Sequence, residues 1–534
     1  MLEIDIPEWV DAQAKPIEGL DLLGLRLPVQ TISGSLFNGI TTITPRIRII
    51  SIRAWMIKAY SESGLPDSSD ALDDFVARIE TAISLAILSV DNKALYIPGA
   101  TLALKILNEP VDPVPLQKLL GQSGFSAYTG PSDDLLVSFP RETGVPGLSK
   151  ERGEPLANFF ESLIQGTEFY RLLKGNPNIA EVSRSVLDEL GNAIQIDSIH
   201  DGELTLLLNA LIPIKPHEKA TVKESSRISF YTLLLELAQR IKRLPTEDDV
   251  FIASLKAISD LPDSLATILD GFLLYRIRDS LAVLHEAALD LVCSELNSRG
   301  TASHEHDVVG TLVAEMLDIG LQKIGLISTG KSAGELTWSE FGSLVESHIT
   351  GEALVRGLLR WDSIIDENQI VTATVARKEN CVGLLPVAWY LCRKRAEDQN
   401  FEKYPHLELL SRNGGARIGL KHAVLPELHK WDDSDPLLQD VVGWLIKRSV
   451  DQHLRIAWSR MFTEMDRDVS VLLTDGNVWM YRKVFYGGRT DSRIRVAINW
   501  LRQLGLVGKS GITDKGMDAL QRGYHALASV GGEA

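Results

Sequence analysis

The chain has 534 residues, of which 45% are hydrophobic and 24% charged, and its formal net charge at pH 7 is −16. That balance excludes a disordered chain, and the acidity excludes general adhesion to nucleic acid, so any such contact has to be local. Three cysteines, Cys293, Cys381 and Cys392, are odd in number and unrelated in spacing; this argues against a disulfide framework or a zinc site and for a reducing, cytoplasmic setting.

No apolar run is long enough to cross a bilayer, and the acidic N-terminus lacks a signal-peptide core. At roughly 150 residues per domain the length predicts three or four domains. The pattern predicts a mainly α, multidomain chain. It comprises an N-terminal helical domain (1–109), a degenerate winged helix (110–165), a helical bundle body (166–360), a mixed linker (361–436) and a helix with a winged helix-turn-helix (437–534).

Near the N-terminus, Thr44 reads as an N-cap and Pro45 as the first residue of a helix carrying Ile49, Ile50, Arg53, Ile57 and Tyr60. Arg46, Arg48, Arg53 and Lys58 could hold phosphate, but arginines in a helical core more often pair with carboxylates. The acidic helix from Ala71 to Leu88 offers Asp74 and Glu80 as partners. The run with Gly39, Thr42, Arg46, Arg48 and Trp55, followed by GLSKERGEPLANFFESL, resembles an N-terminal pattern of uncharacterised bacterial proteins encoded in antiviral defence islands beside helicases or nucleases. The resemblance covers about the first third. It implies a defence-complex component with helicase or nuclease partners and assigns no catalytic residue.

In residues 110–165, a short helix at Leu116 to Leu120, an extended segment and Leu148-Ser149 before a helix echo the C-terminal order in which Ile512-Thr513 precede a helix. Capping chemistry alone accounts equally for that echo. Long stretches from 170 to 360 place apolar residues three and four apart, and short connectors favour antiparallel neighbours. ENQIVTATVARKE reads as a strand pair or a frayed helix, and SRNGGARIGLKH as a loop.

The C-terminal stretch is the most specific. Asp491 or Ser492 would cap a helix with a stripe of Ile494, Ile498, Leu501 and Leu504, whose other face carries Arg493, Arg495, Asn499 and Arg502. Gly505 suits a left-handed C-terminal residue. Leu506-Val507 and Ile512 flank a turn bearing Lys509, and Thr513 caps a closing helix. Together with a first helix expected upstream, in the stretch that begins VSVLLTDGNVW at Val469, this is the winged helix-turn-helix order, which lays one helix in a major groove and the wing along phosphates. Between Val469 and Tyr524, nine Lys or Arg face four acids.

Four further patterns are weaker. Gly325, Gly330, Lys331 and Ser332 spell the phosphate-loop string of a nucleotide hydrolase, but the residues before it read as helix, where a working loop needs a strand. Arg448 and His453 resemble the R-x4-H signature of HEPN-type ribonucleases, although five residues put the two side chains well apart on a helix. His304 and His306 are ligand types without a third partner, and the acidic run from Asp432 to Asp435 reads as a linker and cap.

The sequence therefore predicts a non-catalytic DNA-binding or assembly subunit of an anti-phage complex without a cofactor or metal. It would contact duplex DNA through Arg493, Arg495, Asn499, Arg502 and Lys509. The alternatives are the hydrolase, the ribonuclease or a winged-helix transcriptional regulator whose helical body senses a ligand.

Overall fold

The computed structural model describes residues 21–119, 124–214, 222–257, 260–349, 365–398, 418–463, 469–485, 487 and 492–531. It is mainly helical, as the periodicity predicts. The first stretch carries α1 (Arg26–Leu36), α2 (Ile49–Ser61), α3 (Ser69–Val90), α4 (Ala100–Asn108), β1 (Val114–Pro115), α5 (Thr129–Asp134), β2 (Ser138–Phe139), β3 (Gly147–Leu148) and α6 (Gly153–Ile164). There follow α7 (Glu168–Gly175), β4 (Glu181–Val182), α8 (Arg184–Ile194), α9 (Asp201–Leu211), α10 (Val222–Ile241), α11 (Glu247–Ile252), α12 (Asp263–Ser298), β5 (Ala302–His304) and α13 (Glu305–Lys323). The remainder forms α14 (Trp338–Ile349), α15 (Glu367–Ala376), α16 (Cys381–Asp398), α17 (Leu425–Ser434), α18 (Leu438–Thr463), β6 (Leu472–Asp475), β7 (Val478–Tyr481), α19 (Ile494–Gln503), β8 (Val507–Gly508), β9 (Gly511–Ile512) and α20 (Asp514–Gly531).

The chain divides into two compact units, each stitched from separated segments. The first comprises Met1–Gly34, Phe251–Leu261 and Leu269–Asp491; the second comprises Ser35–Val250, Pro262–Ile268 and Ser492–Ala534.

The first unit is centred on aromatic packing. Trp338 of α14, Trp389 of α16, Trp431 of α17 and Trp444 of α18 form a cluster with ring centroids 5.1–5.6 Å apart. Each ring brings a large apolar area with tilted or edge-to-face geometry, so four helices share one anchor. Beside it the fully buried His285 accepts from Trp389 Nε1 at 3.0 Å, and its Nδ1 lies 2.8 Å from Ser449 Oγ, whose hydroxyl donates to Leu445 O. ENQIVTATVA is a single helix, α15, capped by Asp366, whose carboxylate accepts from Gln369 N at 2.8 Å. Residues 411–417 of the glycine-rich stretch lie outside the described residues.

One sequence expectation is overturned in this unit. VLLTDGNVW does not form the first helix of a winged module; it is the hairpin β6–β7, turning at Gly476 with φ +54° and joined by β5 in the order β5-β7-β6. Apolar residues alternate along it around an Asp-Gly-Asn turn, which is strand rather than helix periodicity.

The second unit is built from paired helices: α2 with α6, α3 with α8, and α10 with α20. Glycines set two of these approaches. A Cβ on Gly191 would lie 2.0 Å from Ala86 O on α3, and one on Gly523 would lie 2.2 Å from Thr232 Oγ1 on α10. α2 begins at Ile49 rather than Pro45, because Thr44 Oγ1 donates to Thr41 O and closes a turn instead of capping a helix. The early basic residues are structural. Arg48 meets Glu203 at 2.9 Å with both side chains fully buried, Arg46 pairs with Asp197, and Lys58 with Glu161. Glu80 instead accepts from Gly124 N.

The echo within residues 110–165 is reproduced in backbone detail. No helix forms at Leu116 to Leu119, but α5 leads into the hairpin β2–β3 and then α6, as α19 leads into β8–β9 and then α20. Leu136 and Gly505 both take left-handed φ, +56° and +69°. Ser149 N bonds Val137 O and its hydroxyl bonds Leu136 O, while Thr513 N bonds Leu506 O and its hydroxyl bonds Gly505 O. Each hydroxyl then accepts from the N–H of a glycine in the first turn of the next helix, Gly153 or Gly516.

Candidate nucleic-acid interface

The residues expected to meet DNA lie on α19 and on the hairpin after it, all in the second unit. Ile494, Ile498, Leu501 and Leu504 are buried, as the stripe requires, but so are Val496 and Trp500. The additional burial comes from the segment 37–47. Trp500 Nε1 donates to Thr44 O at 2.8 Å, Asn499 Nδ2 and Gln503 Nε2 donate to Pro45 O at 2.7 and 2.8 Å, and Ile47 N donates to Gln503 Oε1 at 3.2 Å. Arg493 reaches Phe37 O at 3.3 Å.

Two of the expected contacts are thus engaged within the chain: half-buried Asn499 donates from its amide to a backbone carbonyl, and Arg493 donates to Phe37 O. The cap expected from Ser492 is absent: its buried hydroxyl has no hydrogen-bond partner among the described residues, and α19 starts at Ile494 without a side-chain cap. Asp491 and Arg489 lie outside the described residues.

Arg495, Arg502 and Lys509 remain exposed. Seven residues apart, the two arginines share one side of α19 about 10 Å apart along its axis. The hairpin bearing Lys509 is clamped at its return strand, where Gly511 takes φ +95° and a Cβ would lie 2.6 Å from Ala238 O of α10. The remaining cations of the stretch are dispersed. Lys515 pairs with Asp201, Arg522 donates to Asn209 Oδ1, and Arg482 and Lys483 belong to the other unit.

Arg495, Asn499 and Arg502 line a cavity of about 590 Å³ with Thr42, Ile43, Leu95, Tyr96, Ile97 and Tyr128 among its other walls. Among the described residues, the lining contains two guanidiniums and no acidic side chain, and most of it is apolar. Its volume falls within the roughly 300–1,000 Å³ of small-molecule sites. Tyr128, which accepts from Arg46 N at 3.0 Å, is buried deeply enough that desolvation pushes its hydroxyl pKa well above the usual tyrosine value. At the mouth, Ile43, Leu95 and Tyr96 are 68%, 65% and 62% exposed, and Tyr96 holds φ +59°. Sequence reasoning missed these three residues; the signal was an apolar Leu-Tyr-Ile in a loop before Pro98.

The alternative chemistries lose their geometry. The Gly325 to Ser332 string follows helix α13 rather than a strand. Gly325 and Gly330 take positive φ in turns, Lys331 N is bonded to Ser328 O, and Asp318 Oδ1 accepts from Ala333 N at 2.8 Å. A carboxylate beside the loop and no helix starting directly after it leave no amide cradle for phosphate around Lys331 and Ser332.

His453 is fully buried inside the first unit. Its Nδ1 lies 3.1 Å from Leu22 O and its Nε2 accepts from Val471 N at 3.0 Å, so both ring nitrogens are used by backbone and none is left for acid–base work with Arg448. His306 pairs with Asp307 and Glu305 with Lys447, and among the described residues no group of three or more metal-ligand side chains converges. No helix of the described residues is long and apolar enough to cross a membrane.

No protein-family model, curated protein or solved structure matches the chain.

Proposed function

We propose that this protein is a nucleic-acid-binding subunit that acts without catalysis of its own, holding a phosphate backbone along the exposed edge of α19 and the tip of the following hairpin. The observation that carries the reading is the pair Arg495 and Arg502, exposed on one side of a helix and bordering a largely apolar cavity, in a chain of net charge −16. In so acidic a molecule a local cationic edge is what phosphate contact requires. With Asn499 turned to Pro45, contact of this kind positions a strand rather than reading its sequence. The resemblance of the N-terminal third supports a place beside a helicase or nuclease in an anti-phage complex, where the bound strand would be handed to an enzyme partner.

The test is binding of fluorescent duplex and single-stranded oligonucleotides at two salt concentrations, comparing the natural protein with Arg495→Ala/Arg502→Ala. We expect salt-sensitive binding that the double substitution weakens at least tenfold, with a log–log salt slope shallower by about 1.8 for duplex, two phosphates at about 0.9 each. Equal affinity and slope in the two proteins would sink the reading.

A further inference from the structure

Beside the two exposed arginines lies a cavity that backbone tracking alone does not need. A protein that only follows phosphates requires a cationic surface, whereas this one keeps about 590 Å³ of largely apolar space open next to it. Its mouth is ringed by three large apolar side chains left in water, Ile43, Leu95 and Tyr96. Tyr96 is also held at φ +59°, a region that bulky residues with a Cβ avoid. Strained backbone persists where surrounding structure enforces it, and it clusters at ligand sites. Here it holds an exposed aromatic residue at a hollow whose lining also includes Arg495 and Arg502.

The combination is selective. A planar apolar body is matched by an aromatic or aliphatic face, and an attached anion by guanidiniums that make paired hydrogen bonds to phosphate oxygens. A simple fatty anion would not need an aromatic rim, and a bare phosphate would not need the apolar walls. We infer that this cavity is a binding site for a nucleoside phosphate, its base packed on Tyr96 and between Ile43 and Leu95 and its phosphate held by Arg495 and Arg502. The same chemistry comes from two sources, a free nucleotide or an unstacked base of a bound single strand, where stacking on an aromatic side chain supplies sequence-tolerant affinity. The inference rests on reading the two arginines as phosphate ligands.

Its test uses the full chain and two probes in parallel: ribonucleoside monophosphates followed by calorimetry, with inorganic phosphate as control, and a fluorescein-labelled dT20 followed by anisotropy. The variant is Tyr96→Gly, which removes the ring and relieves the left-handed strain, so its melting temperature is expected to stay level or rise. Tyr96→Trp, which keeps a stacking face, is expected to restore affinity.

If monophosphates bind and Tyr96→Gly weakens them at least tenfold while inorganic phosphate binds far less well, the site takes free nucleotide. If only dT20 binds, and Tyr96→Gly weakens it at least fivefold without changing the salt slope, the site takes a base of the strand. If Tyr96→Gly moves neither probe while Arg495→Ala/Arg502→Ala removes dT20 binding, the cavity proposal is overturned and the phosphate-edge reading stands. Binding of neither probe by the natural protein overturns the cavity proposal, and the phosphate-edge reading is then decided by the duplex oligonucleotide alone.

Discussion

Arg48 and Glu203 meet with both side chains fully buried, and Arg48 Nη1 further donates to Gln195 O at 2.6 Å and Ser198 O at 3.1 Å. Removing one partner strands a charge in an apolar interior, whereas removing both leaves a defect of packing alone. Glu203→Ala is therefore expected to cost about 3–5 kcal/mol in urea denaturation, and Arg48→Met/Glu203→Leu distinctly less. The sequence already favoured carboxylate pairing for the early arginines. It pointed to Asp74 and Glu80 because a neighbouring helix was visible, while the true partners of Arg46 and Arg48 lie about 150 positions away. A charge pattern shows that a counterion is required without showing which carboxylate supplies it.

The same scale carries a pH dependence. His285 is buried in the first unit, with desolvation the main cause and Arg448 and Arg278 adding repulsion, so its pKa falls to about 3. The ordinary histidine value is about 6.5, so between the two the unfolded chain binds a proton that the folded chain refuses. The stabilisation by neutral His285 is thus complete above about pH 6.5 and drains away as pH falls toward 3. Each pH unit in that window removes up to about 1.4 kcal/mol. Denaturation midpoints at pH 7.5, 6 and 5 should show this loss, and His285→Gln should flatten it; an unchanged slope in that variant would assign the pH sensitivity to other groups.

Among the elements, those legible in the sequence were the ones closed by local rules. Gly505, the hairpin around Lys509 and the Thr513 cap stand where turn chemistry placed them, and the pairing of Leu148-Ser149 with Ile512-Thr513 extends to matching hydrogen bonds. The hairpin β6–β7 stands in the stretch where a first helix was expected, and its alternation and Asp-Gly turn are the local signals of a strand pair. The polar face of α19 was misjudged for a different reason: periodicity identifies the side that is buried first, but Thr44 and Pro45, more than 450 residues away, cover a second side. The glycines in the first turns of α6 and α20 have a sharp consequence. A Cβ at Gly153 would lie 2.1 Å from Val137 O and one at Gly516 2.0 Å from Leu506 O, both rigid backbone. Gly516→Ala and Gly153→Ala should each destabilise by about 1–3 kcal/mol despite better helix propensity, as measured by thermal melting.

At the scale of the whole molecule, residues 492–531 contribute to the core of the second unit rather than forming an appended module. α20 packs along α10, and Gly523 admits Thr232 at a distance no larger residue tolerates. A chain lacking residues 492–534 should therefore not behave as the natural protein minus a DNA-binding tail. We expect the loss of a cooperative transition and a rise in binding of a hydrophobic dye; an unchanged melting profile would show that the segment is detachable. The helical class was legible because it depends on local periodicity, but the assembly of each unit from three separated stretches was not.

That stitching sets a timetable for synthesis. The apolar faces of α10, which ends at Ile241, leave the ribosome about 270 residues before α20, which begins at Asp514, exists to cover them, an interval of roughly 15–55 seconds at ordinary elongation rates. Until then the face of α10 that α20 covers has no α20 to pack against. It must be shielded by chaperones or tolerate exposure, and a chain broken off before residue 492 would be left with an open core that degradation machinery can recognise. Only a ribosome that has read through to α20 releases a chain able to bury that core.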